Sequence, residues 1–127
     1  MALYAQTSGE HSTSSGSFVP IPGLSLTLPP GVGVTAIIIL NLPLPYAKGS
    51  DFPGGNVGIS INGKMSPVVG GFTYNEKVPQ STGRIPTTLV VGVTLVDHPQ
   101  TIMGMWSGVR GSTVIIDTPA TLSATFS

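Results

Sequence analysis

Short apolar runs that alternate with polar residues, each cut off by glycine or proline, follow one another along most of this chain. No other feature constrains the fold as much. A period of two places apolar side chains on one face of a strand, whereas a helix needs them about every 3.6 residues. No helical period occurs anywhere. Leu24-Ser25-Leu26-Thr27-Leu28 alternates and stops at Pro29-Pro30-Gly31. Thr35 to Leu42 is apolar on both faces and rich in β-branched residues, which predicts a central strand covered on both sides. Residues 57–62 alternate again and end in Asn62-Gly63, a type I′ hairpin signal. Further strands are predicted over residues 66–74, 87–96, 101–109, 112–117 and 121–126. About eight short strands with turn signals between them predict an all-β sandwich or jelly roll.

The 127 residues suffice for one domain with a real core. Residues 5–17 read Ala-Gln-Thr-Ser-Gly-Glu-His-Ser-Thr-Ser-Ser-Gly-Ser, too polar to bury itself, so residues 1–17 are expected to form a flexible arm and residues 18–127 the domain. Only 8% of the chain is charged and the net charge is zero, against about 25% charged residues in an ordinary soluble domain. Such a surface is poorly solvated, and a closed homo-oligomer that buries part of it is the simplest solution. Neutral balance with five dispersed cationic residues speaks against nucleic-acid binding. The longest apolar run, Ala36-Ile37-Ile38-Ile39-Leu40, is far too short to span a bilayer, so no membrane insertion is expected. No basic segment precedes an apolar stretch at the start, so no signal peptide is read and the localisation stays unknown from the sequence.

The chemistry concentrates between Gly70 and Arg84. Hydroxyls, an aromatic face and a guanidinium crowd a turn between two predicted strands, in Phe72-Thr73-Tyr74 and Ser81-Thr82-Gly83-Arg84. A neutral, hydroxyl-rich ligand needs donors and acceptors in fixed places and an apolar plane to rest on, so this set suits a sugar better than a phosphate, a metal or a nucleobase. Catalytic and metal chemistry lack partners at usable spacing. Cysteine is absent, His11 falls in the predicted arm, and His98 sits in an Asp97-His98-Pro99 turn. No cofactor, no metal and no enzymatic activity are expected.

Several segments carry a specific likeness. Phe18-Val19-Pro20-Ile21-Pro22-Gly23-Leu24, Pro45-Tyr46-Ala47-Lys48-Gly49, Phe52-Pro53-Gly54, Lys77-Val78-Pro79-Gln80-Ser81-Thr82-Gly83-Arg84 and Val109-Arg110-Gly111-Ser112 resemble the TNF-like N-terminal domain of the Burkholderia superlectin. The likeness runs from about Phe18 to Phe126, and the Lys-Val-Pro-x-Ser-Thr-Gly-Arg segment is its most specific part. The resemblance implies a TNF-like jelly-roll homotrimer that binds fucosylated or related glycans between protomers, without calcium. Carried over by motif, it implies ligand contacts at Tyr46, Thr73, Tyr74, Ser81, Thr82, Arg84 and Arg110. The family has a tyrosine two residues past Phe-Pro-Gly; here that position is Asn56, also taken as a ligand-binding residue, where an aromatic wall or hydroxyl contact is lost, and the preceding Gly55 loosens the loop.

Other roles fit the same residues. Arg84 suits either sugar hydroxyls or an ion pair with Glu76 or Asp51, and Arg110 suits a ligand, stacking near Trp106 or a pair with Asp117. Ser81 and Thr82 suit the local backbone of a turn as well as a sugar. Trp106, within Ile102-Met103-Gly104-Met105-Trp106, is read as core. A structural trimerisation module without a sugar ligand explains the low charge and the isoleucine run equally well. A cupin-like enzyme would need a His/Glu metal cluster that two histidines do not supply.

Overall fold

Each strand predicted from alternation is present in the structure, a computed structural model that describes residues 2–126. Met1 and Ser127, the outer ends of the predicted arm and domain, lie outside the described residues. The strands are β1 (Ala2–Gln6), β2 (His11–Thr13), β3 (Val19–Leu28), β4 (Thr35–Leu42), β5 (Tyr46–Lys48), β6 (Gly54–Ile61), β7 (Lys64–Thr73), β8 (Thr87–Thr94), β9 (Gln100–Gly108), β10 (Thr113–Ile116) and β11 (Thr121–Thr125). They form two four-stranded sheets, ordered β1-β11-β4-β8 and β3-β9-β6-β7, and a small sheet ordered β2-β10-β5. All their pairings are antiparallel. No helix occurs among the described residues.

The alternation seen in the sequence becomes burial. Leu24, Leu26 and Leu28 of β3 face Ile38, Leu40 and Leu42 of β4 and Leu89, Val91 and Val93 of β8 within one apolar core. Trp106 is 1% exposed, so it is a core residue as read from its strand. Asn62 and Gly63 take φ of 52° and 82° between β6 and β7, as a type I′ turn requires. The Asn62 side-chain carbonyl also accepts the Thr101 N–H at 2.8 Å, which ties this turn to β9.

Two expectations need correction. The segment predicted as a flexible arm is instead built into the sheets. Residues 2–6 pair with Thr121–Thr125, and His11–Thr13 pairs with β10. Backbone ladders need no apolar side chains, and Leu3 and Ala5 still pack against the core. Thr7, 2% exposed, donates its backbone N–H to Ala120 O and accepts the Ala120 N–H on its hydroxyl. Composition reports what a segment can bury by itself; the ladder offered by β11 is not visible in it. The second correction concerns β4. It is central in its sheet, but its second face is open in the single chain: Ile37 is 41% exposed and Ile39 half-buried.

Candidate functional site

The segment between β7 and β8 has no regular structure but is pinned at several points. Tyr74 N–H donates to Pro53 O at 2.9 Å, Phe52 N–H to Lys77 O at 3.0 Å and Ile85 N–H to Pro45 O at 3.0 Å. The Tyr74 hydroxyl donates to Gly83 O at 2.5 Å and accepts the Ala47 N–H at 3.3 Å. Its ring meets Phe72 edge-on, 5.9 Å between centroids. Burial pushes the Tyr74 phenol up from its ordinary pKa, more than the Ala47 hydrogen bond and Arg84 pull it down. It therefore stays protonated, and a donor, at neutral pH.

Arg84 lies over the Tyr46 ring, its guanidinium carbon 4.2 Å from the centroid, and Lys48 Nζ lies 5.9 Å from the same ring. The guanidinium is held from the other side by Asp117. Nη1 donates to Oδ1 at 2.5 Å and Nη2 to Oδ2 at 2.9 Å, a two-pronged pair, while Nη1 also donates to Leu44 O at 3.1 Å. Both side chains remain about a third exposed. The hydrogen bond to Arg84 holds the Asp117 carboxyl below the usual range, and the same bond raises Arg84 above its own. A depressed carboxylate contributes stability above its unfolded pKa and loses it as pH falls through its folded one. The pair is thus intact at neutral and mildly acidic pH. It replaces the partners Glu76 and Asp51 that the sequence offered for Arg84. Asp117 was offered for Arg110 and not for Arg84; the two residues lie 33 positions apart, and no local spacing signals such a pair.

The remaining residues divide into two groups. Ser81 is exposed and Thr82 half-buried, and neither hydroxyl makes a hydrogen bond among the described residues. The turn chemistry that would have used them locally is absent. On the other side, Arg110 sits in a tight turn at φ 48°, followed by Gly111 at φ 75°. Its Nε donates to Asp51 O at 3.0 Å and Phe52 O at 3.2 Å, and Nη2 reaches Phe52 O and, at 3.4 Å, the Thr73 hydroxyl. Arg110 therefore neither pairs with Asp117 nor stacks on the buried Trp106. Asn56 lies on β6 opposite Gly71, whose missing Cβ leaves room for the Asn56 side-chain oxygen. Thr73 and Tyr74 are consecutive, and their side chains go to opposite sides: Thr73 meets Arg110, Tyr74 meets Ala47 and Gly83.

Tyr46, Tyr74 and Arg84 thus come together in one place and Thr73 and Arg110 in another, with Ser81 and Thr82 on the loop that runs into Arg84. No group of three or more His, Asp or Glu side chains comes together among the described residues.

The family model described as "Bc2l-C, N-terminal domain" matches residues 4–125. The chain belongs to this family. The match includes the residues of β1 and β2, in agreement with their place in the sheets, and it bears out the resemblance carried by the Ser-Thr-Gly-Arg segment. No curated protein sequence matches the chain. Among solved structures, latent PorU from Porphyromonas gingivalis superposes with a TM-score of 0.54 at 14% identity, over 97% of this chain. This chain spans only 12% of that protein, and the likeness speaks to the fold alone. The CBM36-1 domain of a xylanase from the hindgut metagenome of Trinervitermes trinervoides gives a TM-score of 0.48 at 17% identity, over 98% of this chain and 97% of that one.

Proposed function

We propose that this family member is a calcium-independent lectin, a TNF-like jelly-roll homotrimer that binds fucosylated or related glycans between its protomers. One observation carries the reading. Ser81 and Thr82 keep unbonded hydroxyls on the loop that the Tyr74 hydroxyl closes and that runs into Arg84, whose guanidinium is already fixed over Tyr46. Two N–H groups of Arg84, on Nε and Nη2, have no partner among the described residues. Rigid donors next to free hydroxyls and an aromatic face suit the ring hydroxyls and apolar side of a sugar. The strand order β1-β11-β4-β8 over β3-β9-β6-β7 supports the jelly-roll assignment, since each sheet draws strands from both halves of the chain.

Assembly follows from the two partial surfaces and from one sheet face. None of β1, β4, β8 and β11 contains a charged residue. Their outward side chains form rows, of which Tyr4, Ser123, Ile39 and Val90 make one. Tyr4 is 63% and Val90 55% exposed, an unusual load for water to cover. Packed on a second copy, this face becomes core, and the Tyr46–Arg84 surface of one protomer can meet the Thr73–Arg110 surface of the next. Val90→Lys is expected to convert the assembly to monomer and to remove glycan binding with it, both read by light scattering and a glycan array; a Val90→Lys oligomer of unchanged mass would assign the contact to another face.

A glycan array on protein of confirmed trimeric mass, with and without EDTA, tests the function itself. Fucosylated hits that survive EDTA are expected. Hits on another sugar class would keep the site and change the specificity, and a silent array from a folded trimer would leave a structural trimerisation module.

A further inference from the structure

The Arg84–Asp117 pair has a consequence for which sugars the site accepts. An unpaired guanidinium beside free hydroxyls would attract carboxylated or sulfated glycans at least as strongly as neutral ones. Here the charge is met inside the site. Both Asp117 oxygens lie on the two terminal nitrogens of Arg84, at 2.5 and 2.9 Å, and Leu44 O takes a further N–H. The donors left over belong to an ion pair of zero net charge. We propose that Asp117 is a specificity-determining residue: by neutralising Arg84 while orienting it over Tyr46, it makes this surface select uncharged sugars and reject acidic ones. The inference rests on the carbohydrate-binding reading of the same surface and names the chemical class that it takes.

The physical argument has two parts. Like charges brought together at a partly desolvated site cost affinity, so a glycan carboxylate or sulfate approaching Arg84 meets Asp117 and loses most of what the guanidinium would offer. A neutral hydroxyl loses nothing. It accepts from the outward N–H groups of Arg84 and can donate to the lone pairs of Asp117 that Arg84 leaves unused. Lys48 is the other charged group at Tyr46, and its Nζ lies farther out, 5.9 Å from the ring. Asp117 therefore supplies the negative charge that balances Arg84 in contact.

The test compares the unchanged protein with Asp117→Asn and Asp117→Glu on one array carrying neutral fucosylated, sialylated and sulfated glycans, at low and high salt. Asp117→Asn keeps the shape and an acceptor oxygen but removes the charge. It is expected to lose affinity for neutral glycans by a few-fold and to gain acidic ones about tenfold at low salt, with the gain disappearing at high salt. Asp117→Glu keeps the charge and is expected to retain the neutral preference, which separates charge from mere displacement of Arg84. If the unchanged protein already binds acidic glycans as well as neutral ones, the proposal falls. It falls equally if Asp117→Asn, folded by its melting curve, only weakens neutral binding and acquires nothing acidic, the result for a purely structural pair. Silence of all three proteins towards every glycan would instead remove the carbohydrate reading on which the proposal stands.

Discussion

Arg84→Ala is expected to reduce glycan binding at least about tenfold, and to below detection for a monovalent sugar, while the fold and the assembly stay as they were. Hydrogen bonds from a charged donor are roughly twice as strong as neutral ones, and a shallow sugar site has few of them. Each site alone is expected to be weak, with a Kd roughly between micromolar and millimolar, so the loss of one charge-assisted donor removes most of the usable affinity. In the proposed trimer, several sites would multiply that loss on a glycan-coated surface. The truncation also frees Tyr46 from its guanidinium cover and leaves Asp117 unpaired. Asp117 is a third exposed, so water takes over its lone pairs and the melting temperature should barely move. Titration calorimetry with a fucosylated oligosaccharide, together with light scattering and thermal melting, reads all three. Full binding by Arg84→Ala would show that this guanidinium is structural and that the sugar lies elsewhere. Lost binding accompanied by lost mass would assign Arg84 to the subunit contact.

What the sequence shows depends on how far apart the interacting residues lie. The alternation of Leu24, Leu26 and Leu28 and the bounds of Thr35–Leu42 are local signals of burial, and they correspond to β3 and β4. Asn62-Gly63 is local too, because only the two residues of the turn decide its backbone. Tyr46–Lys48 is three residues long and has no period to detect. β1 and β2 depend on ladders from β11 and β10, more than a hundred residues away in β1, and no local property of Ala2–Gln6 or of the Ser/Gly-rich stretch after it reports those partners. The open face of β4 has the same cause: an isoleucine run shows that both faces want cover, not whether the chain itself supplies it. The candidate site residues come from the resemblance, and the structure adds how their side chains are arranged. Only coordinates show that Tyr74 closes the loop on Gly83, that Thr73 and Tyr74 serve opposite sides, and that Arg84 takes Asp117 as its partner.

Gly108→Ala is expected to be strongly destabilising, although it adds a single methyl group. A Cβ at Gly108 would lie closer than 3.0 Å to the backbone carbonyl oxygen of Ser112, a separation real Cβ atoms essentially never show. Backbone cannot swing aside as a flexible side chain can, so β9 and the turn after it must move. That turn is fully committed. Gly108 N–H donates to Ser15 O at 2.8 Å, Val109 N–H to Gly54 O at 3.2 Å, and Ser112 N–H to Val109 O at 2.9 Å. The Ser112 hydroxyl donates to Val109 O and accepts the Gly54 N–H. Arg110 sits inside this frame in a left-handed conformation that side chains rarely adopt, and only the surrounding bonds hold it there. Overpacking of a closed core costs about 1–3 kcal/mol and more where backbone must shift, so a loss of about 3 kcal/mol is expected, or roughly ten degrees in Tm. Gly83→Ala provides the contrast. Gly83 has nothing within 4 Å of the added methyl and no positive φ, although its carbonyl accepts the Tyr74 hydroxyl. It should melt like the unchanged protein. A Gly108→Ala protein that melts with Gly83→Ala would mean that the Val109–Ser112 turn yields easily, and a turn that yields cannot be what holds Arg110 in place for a ligand.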